Sequence, residues 1–214
     1  ESPAVRAHAA IALASAERDT DPTASAPLWD ILSAEGEPGR VGRIALLDAI
    51  RDSKDRRFSG VLLMLSMTYP DDLELVDGTV LAMASVRDPL FIPMLLQRLP
   101  VRSGRGVVRD ALVAIGDPAQ RALEEAMRNQ ATEPALRLHI PRTLSRFGNQ
   151  RAADFLTEQL AREEVGLVRY KVLRGLGGML KNRKLHVNRK AILTQMQRNL
   201  VEHLRLLASF APLE

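Results

Sequence analysis

The chain has 214 residues, of which 46% are hydrophobic, 26% charged and 4% aromatic, with a formal net charge of +4 and no cysteine. That balance excludes a disordered chain, a disulfide framework and a thiolate metal site. An apolar mass of Leu, Ala, Val, Ile and Met favours helices over a sheet sandwich, and charged residues break every apolar run well short of the roughly 20 positions a membrane helix needs.

The opening Glu1-Ser2-Pro3 carries no initiator Met and no export segment, which predicts a piece of a longer protein. The first predicted helix runs from Val5-Arg6 to Leu13, with apolar residues three or four places after the Arg and a large aliphatic at the seventh, all on one helix face. A second apolar helix surrounds Leu28 to Leu32, where Trp29 is read as core rather than as an aromatic and carboxylate pocket with Asp30. Gly42-Arg43 to Ile50 then repeats the first pattern without a gap, and Val61 to Leu65 repeats the second. Two weaker copies follow, with Thr79 and Val108 in place of the Arg, Val86 and Ile115 at the seventh position, and Asp88-Pro89 and Asp117-Pro118 after them in identical register. Between these copies lie helices at Phe91 to Leu99 and Leu123 to Met127. The intervening Val101-Arg-Ser-Gly-Arg-Gly106 resembles an anion cradle but lacks the spacing and Lys of a P-loop.

Leu136-Arg137 to Leu144 restores the full pattern, with Pro141 inside it predicting a kink. Phe155 to Leu160 and Val168-Arg169 to Leu176 complete the last copy. Anchors at 6, 43, 79, 108, 137 and 169 are separated by 37, 36, 29, 29 and 32 residues, the span of a two-helix repeat with variable turns. Each unit is therefore helix A, turn, helix B, with Asp-Pro supplying caps and first residues, and Gly116, Gly148 and Gly177 near helix ends. Beyond Leu185 one long helix carries Leu193, Met196, Leu200, Leu204 and Leu207 on one stripe.

The fold expected is all-α: a right-handed solenoid of about six antiparallel helix pairs, a single domain over 1–214 closed by a capping helix in 185–214. Its first repeat is only half present, because no helix in the chain covers Val5, Ala9 and Leu13.

The Val-Arg and Leu-Gly motifs with Asp-Pro turns resemble HEAT repeats and the related phycobilisome-lyase-type repeats, which implies a scaffold that holds a protein partner or a regulatory segment. A narrower likeness joins Leu138-His-Ile-Pro-Arg-Thr-Leu-Ser-Arg-Phe147, Val168-Arg-Tyr-Lys-Val-Leu-Arg-Gly-Leu176 and the terminal basic helix. It is similar to the cytosolic HEAT region of bacterial nucleotide transporters of the ATP/ADP-translocase type. That implies a cytoplasmic module tethered at the inner membrane face through another domain of the same polypeptide.

The charge is divided unevenly. Residues 1–136 hold 15 Lys and Arg against 20 Asp and Glu, a net of −5; residues 137–200 hold 14 against 4, a net of +10; the remainder adds −1. The basic part points to an acidic partner, a phosphate-rich ligand, nucleic acid or an anionic membrane surface. Arg6, Arg43, Arg137 and Arg169 recur at one repeat position, where Glu37, Glu133, Glu163 or Glu164 stands ready to pair with them, so they are read as a structural ladder. Arg142 and Arg174 share a second position in the last two units only, and with Lys181, Arg183, Lys184, Arg189 and Lys190 they are the candidate binding residues. No nucleophile motif, metal-ligand spacing or dinucleotide fingerprint appears, and the four His residues are scattered, so neither catalysis nor a cofactor nor a metal is expected. The alternative function is a nucleic-acid-binding solenoid that uses 137–200. A DNA glycosylase or bilin lyase built from such repeats fits less well, since the one Trp lies in the acidic half.

Overall fold

The computed structural model describes residues 2–16, 22, 25–181 and 184–209, and among them every regular element is helical. Thirteen α-helices follow in order: α1 (Pro3–Ala16), α2 (Ala26–Ser33), α3 (Gly36–Ser53), α4 (Ser59–Thr68), α5 (Leu73–Val86), α6 (Ile92–Arg98), α7 (Arg105–Ile115), α8 (Asp117–Arg128), α9 (Pro134–Arg137), α10 (Ile140–Phe147), α11 (Gln150–Arg162), α12 (Gly166–Met179) and α13 (Arg189–Ser209). They form two compact units, Glu1–Ile115 with α1 to α7 and Gly116–Glu214 with α8 to α13. None of these helices is long and apolar enough to cross a membrane.

In the first unit α2 with α3, α4 with α5 and α6 with α7 are helix pairs, and α1 packs on α3 and α2. Helices B stack in sequence order, α1 on α3, α3 on α5 and α5 on α7. They run parallel: near their starts Arg40 of α3 donates to Asp72, the cap of α5, and near their ends the Ser85 hydroxyl donates to the Arg51 carbonyl. The core between the layers is aliphatic, with Leu28, Leu46, Ile50, Leu62, Met83, Leu95 and Leu112 buried beside Phe58 and Phe91. Each such side chain contributes about 1.5–3 kcal/mol by leaving water. Asp88 accepts a backbone N–H at the start of its turn, as the Asp-Pro signal predicts, and Asp72 does the same without a following Pro; Asp117, also expected as a cap, is instead the first residue of α8, whose cap position is Gly116.

The second unit continues the pattern with α8 against α10, α10 against α12 and α11 against α12. Pro141 does more than kink its helix. Lacking an N–H, it cannot donate to the Arg137 carbonyl, and the His139 N–H turns to the Leu136 carbonyl three residues back, so one predicted helix B becomes α9 and α10. Gly175 of α12 crosses this segment closely, because a Cβ there would lie 3.0 Å from the Pro141 carbonyl oxygen. Gly148 takes the left-handed cap after α10 at φ +62°, whereas Gly177 lies within α12 rather than at its end. The long final helix packs on α11 and α12.

Trp29 is 46% exposed and is not core; Leu28 and Ile31 take the buried positions of α2. One residue along an α-helix is a rotation of about 100°, enough to turn the indole to solvent.

Candidate interaction surface on the second unit

The repeated arginines are structural supports, and their geometry decides which face of α12 remains open. Arg43 is buried, donates to the carbonyls of Leu32 and Ala34 just past α2, and lies over the Tyr69 ring at 4.5 Å. Arg137 donates at 2.8 Å to Glu163. Arg169, at 0% exposure, donates to the carbonyls of Glu163 and Glu164, to Asn199 Oδ1 at 2.9 Å and to the Glu202 carboxylate. Arg43 and Arg169 tie the end of the preceding helix A to their own helix, and Arg137 reaches the end of the helix A that follows it. Burial, and then the neighbouring Arg198, push the Arg169 guanidinium below its ordinary value, though an arginine stays cationic in proteins.

The expected partners of these arginines need correction. Glu37 pairs with Arg40 rather than Arg43, and Arg137 reaches Glu163 of the following pair rather than Glu133. Arg6 is exposed and lines a cavity that α1 shares with Asp30 and Ile31 of α2 and Glu37 of α3. Where Val108 replaces the anchor, Arg105 takes over: it donates to the carbonyls of Leu99 and Pro100 after α6. The anion-cradle reading of 101–106 therefore gives way to a helix cap, with Gly104 at φ +66° against Asp77.

The polar seam at Arg169 orients α13. Its inward face is Ile192, Gln195, Asn199 and Glu202, spaced three and four apart, and Arg198 braces Glu202 at 3.0 Å. The stripe read as the packing face, Leu193, Met196, Leu200, Leu204 and Leu207, is instead exposed, with Leu200 60% accessible. Two stripes compete for one helix, and the hydrogen-bonding needs of a buried guanidinium select the polar one.

Because α13 runs antiparallel to α12 on that seam, an apolar groove of about 1030 Å³ lies between them. At one end are Leu167, Tyr170 and Leu206; at the other are Gly177, Leu180, Ile192 and Met196. Arg174 stands in the wall, and α10 carries the exposed Arg142 at the same repeat position. Lys181 and Lys184 are exposed in the connection that leaves the Leu180 end. Arg189 heads the α13 stripe four residues before Leu193, while its neighbour Lys190 lines a separate cavity with Thr157, Leu160 and Ala161 of α11. The candidate cations are thus not one patch. Arg174 lines the groove, Arg189 lies at the start of α13 one helical turn before the lining Ile192, and Lys190 faces the separate cavity; Arg183 lies outside the described residues.

Sequence reading missed Leu167, Tyr170 and Leu173 as surface groups because each sits at helical spacing from true core residues. The available signal was Asn199 and Glu202, polar residues in the one frame that faces a buried Arg. Among the described residues no group of three or more His, Asp and Glu is placed to hold a metal.

Residues 92–177 match the family described as HEAT repeats. No curated protein and no solved structure gives a significant match. Within that stretch the helix pairs are of HEAT-repeat type, and the described residues of both units are all-α.

Proposed function

We propose that this protein is a non-enzymatic scaffold that holds a protein partner in the α12–α13 groove. HEAT repeats generally mediate protein interactions, and one observation carries the assignment to this place: α13 is fixed by a polar seam while its leucine stripe and the facing side of α12 stay exposed. Contiguous apolar surface of this kind marks binding sites on soluble domains. The resemblance of the last third to transporter-linked repeats extends the reading to a module within a larger membrane-associated polypeptide at the cytoplasmic face. Membrane-spanning helices in the same reading frame support that setting, and a frame without them removes it.

A photo-crosslinking residue at Leu200, compared with one at the exposed Arg121 of α8, tests the docking surface in cells. Adducts to another polypeptide specific to position 200 support the reading. No adduct, or equal adducts at both positions, overturns it.

A further inference from the structure

We infer that the occupant of the α12–α13 groove is an amphipathic helix of another protein, acidic along the flank of its C-terminal half, docked parallel to α12. The inference rests on the docking reading above and adds the partner's shape, charge and direction.

The shape follows from the repeat itself. Arg137 and Arg169 are equivalent positions, so Leu173 and Gly177 of α12 correspond to Pro141 and Ser145 of the preceding helix B. On that preceding helix these two positions are covered by a helix: a Cβ at Gly175 would lie 3.0 Å from the Pro141 oxygen and 3.5 Å from the Ser145 Cβ. On α12 the same positions face the groove, and a Cβ at Gly177 would meet nothing within 4 Å. The open place is therefore the size and form of a helix B. Its volume of about 1030 Å³ also stands at the upper end of the roughly 300–1,000 Å³ of small-ligand pockets, and it is drawn out along two helices.

Charge and direction follow from the rim. Of the polar groups in the wall, Asn199 and Glu202 are engaged by Arg169, and Glu202 by Arg198 as well, while Arg174 and His203 face the occupant. Lys181 is exposed one residue beyond Leu180, and Arg189 is exposed one helical turn before Ile192, so both belong to the Gly177–Leu180 end. A helix parallel to α12 brings its C-terminus to that end, where its carbonyl dipole and any acidic side chains meet cations; the reverse orientation presents the positive end of the dipole. A second copy seated groove to groove with its helices parallel brings the cations of one end against their own counterparts, a like-charge arrangement that interfaces reject.

The test uses the full chain and two synthetic helices. Both carry Val, Val, Gly, Leu and Met at the spacing of Val168, Val172, Gly175, Leu176 and Met179; one has Glu at the flanking positions of its second half, the other Lys. Fluorescence anisotropy reads binding to the native chain and to Gly177→Leu, which fills the groove at a position with room for a side chain. The Glu peptide is expected to bind about ten-fold more tightly than the Lys peptide, to weaken with salt and with Arg174→Glu, and to lose binding in Gly177→Leu. Equal binding of both peptides, lost in Gly177→Leu, keeps the groove as the docking surface and overturns the acidic partner. Binding of neither, with crosslinks still formed at position 200, overturns the helix but not the surface. Self-association by sedimentation, or retention on anionic vesicles, that disappears in Gly177→Leu assigns the groove to a second copy or to lipid and overturns the inference.

Discussion

Arg169 and Arg6 occupy one repeat position and have opposite surroundings, which makes them a controlled pair. Arg169→Ala leaves the carbonyls of Glu163 and Glu164 and the Asn199 side chain without their donor and is expected to cost about 3 kcal/mol, as for other buried charged networks that lose a partner. Arg6→Ala, at an exposed position, is expected to stay within about 0.5 kcal/mol. Urea unfolding of the two variants checks both, and equal effects contradict the structural role of the buried arginines. Asp72 offers a test by pH. The Arg40 guanidinium first, then the N–H groups of Leu75 and Glu74, hold its carboxyl below the ordinary carboxylate range. A lowered native value stabilises the fold above the unfolded value of about 4 and loses that stabilisation as pH falls through the native one. Stability measured at descending pH is expected to fall less steeply in Asp72→Asn than in the native chain.

At the scale of elements, α13 separates the two candidate faces. Leu200→Gln and Leu207→Gln are expected to change thermal stability by no more than about 0.5 kcal/mol each, because both side chains are already exposed. Ile192→Ala, on the packed face, is expected to cost about 2 kcal/mol or more. Thermal melts of the three variants decide whether the leucine stripe packs or faces water. The sequence made the helix pairs legible because Arg, aliphatic and Asp-Pro signals recur in register, and local capping agrees with the packing. It did not make the face of α13 legible, since a leucine stripe is the stronger periodic signal and only the position of Arg169 reveals which stripe turns inward. Trp29 was misread for a related reason: a large aromatic between Leu28 and Ile31 carries no mark in one sequence of the rotation that exposes it. The break at Leu138 and His139 was half legible, since Pro141 predicts a disturbance but not its extent.

For the whole molecule, the division of charge was legible by counting, whereas its spatial meaning was not. The net of +10 over 137–200 suggests a nucleic-acid face when read along the chain. In three dimensions Arg137 and Arg169 are buried and engaged with Glu163, Glu202 and backbone carbonyls, Arg151 pairs with Glu124 at 2.6 Å, and Arg162 pairs with Glu158 at 3.0 Å. Arg189 and Lys190 diverge to different sides of α13. A protein that binds duplex DNA through its cations releases counterions, so that log K falls against log salt with a slope of about −0.9 per phosphate engaged. With the basic residues divided among internal pairs and separate faces, few phosphates are engaged at once. Anisotropy titrations of a labelled duplex at increasing salt are therefore expected to give weak binding with a slope shallower than about −3. A slope near that of six or more contacts, reduced by Arg142→Ala and Arg174→Ala, places nucleic acid on this basic part and removes the protein-docking reading from first place.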